Sequence, residues 1–239
     1  MTRMVIVTGG GTGIGRENAS NLRSRGDDVT IIGRRPDVLQ EAADAIGAQA
    51  VPADLADPRA IECIMDDLPT PVDVLVNCAG GNITIGEPAP TTLTEVSRLW
   101  ERNFAANVLT AVLLTTALTD RLAPGGAVIS FSSVAADRGA DSYGAAKAAL
   151  AAWNISLAQD LGPRDITANV IAPGFIDETE FFRGRMTDER RASIMAGTLL
   201  KRVGHLDEIA ETVRFLASPG ARYITGQVIA VNGGWVTSR

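Results

Sequence analysis

Residues 4–15 read MVIVTGGGTGIG. Met4–Thr8 is apolar and β-branched, as a buried strand requires. It runs directly into a glycine cluster, and a helical pattern opens at Gly13 and continues to about Arg25. In a strand–turn–helix unit, the turn glycines let backbone N–H groups approach a phosphate closely. The helix amino end then favours the negative charge. Gly9, Gly11, Gly13 and Gly15, with Thr12 and Ile14 among them, are the candidate residues around a pyrophosphate. The spacing departs from GxGxxG, and no Gly-Lys-Ser/Thr follows. Kinase or ATPase chemistry of the P-loop kind is therefore not expected.

Outward from this unit, strand and helix signals alternate. Strands are expected at 29–32, 49–52, 72–76, 127–131, 167–171 and 227–231. Helices are expected at 36–46, after Asp57, over 93–122 with a break before Asn103, and at 143–161, 187–196 and 206–216. Continuous apolar strands separated by helices imply a parallel sheet covered on both faces. The expected class is α/β, with about seven strands doubly wound and flanked by helices. No linker or repeat interrupts residues 1–239, so one domain is expected. Residues 175–200 are its most irregular stretch. They open with FIDETEFFRGRM, with exposed-looking Phe175, Phe181 and Phe182, and read either as a substrate lid or as a helix packed on another subunit.

Composition excludes several classes. The 239 residues carry a formal net charge of −6, a poor basis for non-specific binding to nucleic acid or to anionic membranes. A lone histidine, His205, rules out a multi-histidine metal centre, and Cys63 and Cys78 have no metal-site spacing. No metal is expected. No uncharged apolar run reaches about 18 residues, and the first residues lack a signal-peptide pattern. The expectation is a cytoplasmic protein.

Two further regions carry chemistry. The second strand ends in IIGRRP, where a carboxylate would accept hydrogen bonds from adenosine ribose hydroxyls. Arg34 and Arg35 stand there instead. Two guanidinium groups suit a ribose 2′-phosphate, or they are simply solvated. NADPH is thus favoured over NADH. Asp54, after the third strand, is placed to bind adenine or to cap the next segment. The other region is YGAAK, 143–147. Tyr143 and Lys147, four apart, share one helix face. A phenol can protonate a carbonyl oxygen as hydride reaches its carbon, and a nearby ammonium would lower the phenol pKa. Ser132 and Ser133 end one strand, and Asn77 ends another, where α/β sheets place ligands. Asn107, a polar residue within an apolar helix, needs a partner, either a proton-relay water or a backbone carbonyl.

The set resembles the short-chain dehydrogenase/reductase family along essentially the whole chain. The matching pieces are TGGGTGIG (8–15), Asp54-Leu55, NCAG (77–80), Asn107, Ser133, YGAAK (143–147), PG (173–174) and VNGG (231–234). The resemblance implies a Rossmann-type fold and a catalytic tetrad of Asn107, Ser133, Tyr143 and Lys147. It implies that Gly9, Thr12, Gly13 and Ile14 surround the pyrophosphate, that Leu55, Asn77, Ala79, Gly80, Pro173 and Gly174 line the cofactor, and that Ile176 and Thr179 approach the nicotinamide carboxamide. A homotetramer is implied, with a dimer as the alternative.

The pattern is similar to that of 3-oxoacyl-[acyl-carrier-protein] reductases. It implies reduction of a small or carrier-bound ketone, with an alcohol or sugar dehydrogenase and a non-catalytic dinucleotide sensor as alternatives. Arg183, Arg185, Arg190 and Arg191 are either a carrier-docking cluster or solvated charges. Three departures stand out. Only ten residues separate Ser133 from Tyr143, PGFIDET is one residue longer than usual, and position 12 is Thr rather than a basic residue.

Overall fold

The computed structural model describes residues 2–182 and 184–237. Seven parallel strands form one sheet in the order β3-β2-β1-β4-β5-β6-β7. They are β1 (Met4–Thr8), β2 (Asp28–Gly33), β3 (Gln49–Pro52), β4 (Val72–Asn77), β5 (Leu122–Phe131), β6 (Thr167–Pro173) and β7 (Val228–Val231). The order reverses between β1 and β4, so their carboxyl ends flank the crevice where such sheets bind ligands.

Side chains that alternate along each strand feed two separate cores. Val5, Val7, Ile31, Val74, Val76 and Ile129 face one side, beneath α1 (Gly13–Ser24), α2 (Pro36–Ile46) and, farther along the chain, Leu206–Leu216. Ile6, Ile32, Leu75 and Val128 face the other. There α3 (Pro58–Ile64), α5 (Thr110–Leu118) and the long α7 (Asp141–Leu161) cover the sheet, and α4 (Leu93–Phe104) and the short α6 (Ala135–Arg138) pack against α7. The helices reach this second core through Ile61, Leu114, Leu118, Leu157 and Leu161. Near the carboxyl end, α8 is Asp188–Gly197 and α9 is Leu206–Leu216.

The expected break before Asn103 does not occur. The chain stays helical from Leu93 to Leu118, and the irregularity is a π turn at Ala105–Leu109. A π turn inserts one residue without ending the helix and changes which side chains face inward after it. β5 also begins at Leu122, ahead of the expected Ala127, where the β4–β5 register shifts between Val72 and Val74. Phe175, Phe181 and Phe182 are half-buried, not exposed, because their rings pack edge to edge.

Leu75 lies at the centre of the sheet and is fully buried. Leu75→Ala is expected to destabilise the fold by about 2–5 kcal/mol through lost burial and a cavity. Urea unfolding measures this, and an unchanged midpoint would contradict the placement of the core.

Candidate active site

The site is built from the carboxyl ends of β1, β4, β5 and β6. After β1, Gly15 sits in the first turn of α1, directly against the glycine turn. A Cβ there would lie 2.3 Å from the Gly9 carbonyl oxygen, so only glycine permits this helix to start so close to the turn. Thr12 precedes α1 without a side-chain cap, and the first turn of α1 holds no acidic residue. Its N–H groups and dipole are thus not used by the protein's own carboxylates. Sequence reasoning misses Thr8, whose hydroxyl accepts from the N–H groups of Cys78 (3.0 Å) and Ala79 (2.9 Å). These bonds hold the NCAG turn against the glycine turn. Ala79 packs over Gly9, and Gly11, Gly13 and Ile14 remain half-buried beside them.

At the far end of this crevice, Arg34 and Arg35 are exposed. Arg35 reaches Thr12 Oγ1 at 3.5 Å and pairs with Glu180 at 3.5 Å. Asp54 is exposed, and its carboxylate accepts from the Ala56 N–H at 3.0 Å in the turn ahead of α3, whose cap is Asp57. The Leu55 side chain lies in the core. Asn77 is buried, and its amide donates to Thr115 Oγ1 at 2.9 Å. Gly80 contacts Asn107, and the Gly174 N–H donates to the Val231 carbonyl at 3.0 Å. The Pro173 carbonyl accepts from the Val134 N–H at 3.0 Å. Ile176 is buried among core residues, and Thr179 stands over Gly13.

The structure brings Ser133, Tyr143 and Lys147 together. Two reciprocal bonds lock α7 to the end of β5. Lys147 Nζ donates to the Phe131 carbonyl at 2.8 Å, and Ser132 Oγ donates to the Lys147 carbonyl at 2.8 Å. Ser132 is committed to that bond, which separates the two serines. Ser133 is half-buried, its hydroxyl accepts from the Ala135 N–H at 3.2 Å, and it lies close enough to the Tyr143 phenol to influence its ionisation. Gly144 lets α7 approach α6 so closely, because a Cβ there would sit 2.6 Å from the Ala135 carbonyl oxygen.

Asn107 has both of its amide atoms engaged. Its Nδ2 donates to the carbonyls of Gly81 (3.0 Å) and Asn103 (3.0 Å), and its Oδ1 accepts from the Gly81 N–H (2.9 Å). The side chain thus satisfies two backbone carbonyls, the partner type that one of the sequence alternatives names. Sequence reasoning also misses Asn103 and Ser142. Asn103 lies four residues before Asn107, the spacing that shares a helix face, and that is the signal that could have found it.

The electrostatics correct one expectation. Burial pushes the Tyr143 phenol up to about 12, with Ser133 opposing. Lys147, expected to lower it, does not figure among the influences on the phenol, and loss of hydration is the largest of them. Burial pulls Lys147 itself down to about 8, and pushes the neighbouring Cys78 thiol up to about 12.

Phe181 lies 5.9 Å, centroid to centroid, from the Tyr143 ring and packs edge-on against Phe182, which in turn meets Phe175. Arg191 pairs with Asp177, and Arg190 stacks on Phe182 at 4.9 Å. Arg185 packs against Gly86. These three arginines are engaged locally, and Arg183 lies outside the described residues. His205 flanks the start of α9. Among the described residues no cluster could hold a metal ion, and no helix is long and apolar enough to cross a membrane.

A family model described as enoyl-(acyl carrier protein) reductase matches residues 9–236. The 3-oxoacyl-[acyl-carrier-protein] reductase FabG of Escherichia coli K12 is 35% identical over 242 residues, spanning 97% of this chain and 96% of that protein. A Brucella melitensis short-chain dehydrogenase/reductase described as glucose/ribitol dehydrogenase superposes with a TM-score of 0.86 at 27% identity, covering 99% of this chain and 97% of the other. A short-chain dehydrogenase of Burkholderia cenocepacia J2315, solved in complex with NADP, gives 0.82 at 30% identity, covering 98% and 97%. The chain belongs to the short-chain dehydrogenase/reductase family. It is an NAD(P)(H)-dependent oxidoreductase acting on CH–OH and C=O groups.

Lys147 makes stability depend on pH with a definite sign. Its folded pKa, about 8, lies below the ordinary 10.5. Between these values the unfolded chain holds a proton that the folded chain has released, so stability rises with pH in that window. Relative to Lys147→Met, the wild type is expected to gain about 1 kcal/mol between pH 7 and pH 9. Urea titrations of both proteins measure this, and a flat difference would contradict the depressed pKa.

Proposed function

We propose that this chain is an NADPH-dependent ketone reductase acting on a small or carrier-bound carbonyl of the 3-oxoacyl thioester or polyketide type. The observation that carries this reading is the Tyr143–Ser133 hydroxyl pair at the end of β5, beside the buried Lys147 ammonium. In this reading a carbonyl oxygen takes the place between the two hydroxyls. Ser133 donates a hydrogen bond that polarises it, and Tyr143 gives it a proton. The dinucleotide, when bound, supplies the hydride to the carbonyl carbon. Lys147 offsets the charge left on Tyr143, and Asn107 holds the turn at Gly81 in place rather than acting on the substrate.

The residues present fit a dinucleotide. The start of α1 is uncapped, the glycine turn is closely packed, and Arg34 and Arg35 offer positive charge where a 2′-phosphate would lie. The NADP complex of the Burkholderia relative agrees with that preference. A phenol pushed up to about 12 is protonated at neutral pH, the state from which it can act as the donor in reduction. A dinucleotide sensor would have no use for the donor pair. Residues 175–200 are proposed as the substrate lid of the one domain spanning residues 1–239. Phe181 and Phe182 suit an apolar or aromatic ketone. Arg190 and Arg191 are occupied within the lid, which gives carrier docking less support than reduction of a free ketone.

Leu93, Trp100 and Leu109 expose apolar surface on α4 and the π turn, and Phe215, Tyr223 and Val228 do so near β7. Two such faces suit a homotetramer, with a dimer if only one is used. Light scattering of the purified protein decides this, and a monomer would overturn it.

Tyr143→Phe is expected to lower kcat with a β-ketoacyl thioester or a cyclic ketone by at least about 100-fold, within the range for a lost general acid. Turnover at the wild-type rate would overturn the mechanism. Arg34→Ala combined with Arg35→Ala is expected to raise the KM for NADPH about tenfold or more, as loss of charge-assisted bonds requires, and to leave NADH nearly unaffected. An unchanged NADPH/NADH ratio would overturn the cofactor preference.

A further inference from the structure

Tyr143 lies in the first turn of α7, yet that turn is poorly fixed by its own sequence. Ala140 flanks the helix without a side-chain cap, and Asp141 takes a φ of +51°. A helix start of this kind frays unless other contacts hold it. The residue before Tyr143 supplies such a contact. Ser142 Oγ accepts a hydrogen bond from Asn103 Nδ2 at 2.8 Å, and both residues are fully buried. Asn103 lies at the end of α4, one residue ahead of Phe104 and the π turn.

The bond continues beyond this pair. The Asn103 carbonyl accepts from Asn107 Nδ2, and Asn107 exchanges two bonds with Gly81. One buried run of hydrogen bonds therefore joins the turn after β4 to the residue preceding the proton donor. Asn103 makes this connection at a cost, because its Oδ1 is buried and finds no partner among the described residues. An apolar side chain in its place would avoid that loss. An amide there contributes little to stability, and what it contributes is direction.

We propose that Asn103 and Ser142 form a positioning pair that aims Tyr143 at the substrate carbonyl. The proposal rests on Tyr143 being the proton donor. Asn103 touches neither cofactor nor substrate; it acts through Ser142 and the start of α7. Its backbone carbonyl still holds Asn107 when the side chain is replaced, so the two roles separate.

Asn103→Leu tests the pair, with Ser142→Ala as a second variant that deletes the same bond by removing one oxygen. The expected result is a kcat about tenfold lower with the ketone that the wild type reduces, of the size that a misplaced catalytic group produces. The KM for NADPH should stay unchanged, each variant should remain folded at the assay temperature, and the double variant should be no slower than either single one. A second readout needs no substrate. The chain has two tyrosines, and Tyr223 is fully exposed, so tyrosine labelled with ¹³C at Cζ gives one signal from the site and one reference. The Tyr143 signal and its titration should shift in both variants, while that of Tyr223 stays fixed.

A wild-type Tyr143 signal in either variant overturns the proposal, as does a kcat that falls only in step with the folded fraction. Tyr143→Phe separates the two levels of argument. If it turns over normally, the proton-donor reading fails. If it is inactive while Asn103→Leu and Ser142→Ala keep full kcat, only the positioning pair fails.

Discussion

The carboxyl end of the sheet depends on one buried ammonium. Lys147 donates to the Phe131 carbonyl, and Ser132 returns a bond to the Lys147 carbonyl, so strand and helix are cross-linked in both directions. A charge so deeply placed is costly, and its pKa falls toward about 8 in response. The cross-link is what fixes α7 relative to β5. With those two elements fixed, Ser133 and Tyr143 meet, because one follows the strand and the other opens the helix. Gly144 is required beside Tyr143 because a Cβ there would strike the Ala135 carbonyl of α6.

A second layer of polar groups extends this frame to the neighbouring strands. Thr8 ties β1 to the turn after β4, and Asn107 ties that turn to the π turn. Asn77 reaches across to Thr115 and Ser130. Buried polar side chains of this kind are a usual way for a protein to fix irregular segments inside a core. Several leave an oxygen without a partner among the described residues, Asn77 and Asn103 included. The interior next to the site is thus specified by direction more than by stability.

Much of this is legible in the residues. Apolar strands such as MVIVT and VDVLVN can only be covered on both faces, and Pro36 and Asp57 mark helix starts that the structure keeps. The Tyr-Lys spacing places both side chains on one face whatever surrounds them. Other features are hidden because they depend on tertiary partners. The π turn has no composition of its own, and a polar residue in a helix reads only as an anomaly until its partner is seen. The choice between Ser132 and Ser133 rests on which hydroxyl finds the Lys147 carbonyl, and neighbours in sequence cannot decide that. A neighbouring charge suggests a lowered pKa for Tyr143, but burial, which no spacing reveals, is the largest influence.

The two halves of the proposed site are held by interactions of different strength. Around Tyr143 and Lys147 the contacts are buried hydrogen bonds, which are expensive to leave unmade and so admit one arrangement. Over the proposed substrate side, the segment after β6 rests on aromatic edges and on ion pairs near the surface, Arg35 with Glu180 and Arg191 with Asp177. Surface pairs are typically worth about 0–1 kcal/mol, so each is easily exchanged. In the proposed reading, changes at Phe175 and Phe182, neither of which is stacked on Tyr143, would alter which carbonyl fits while leaving the proton donor in place. The chemistry is written into the buried frame, and selectivity into the part that can be rearranged without unfolding it.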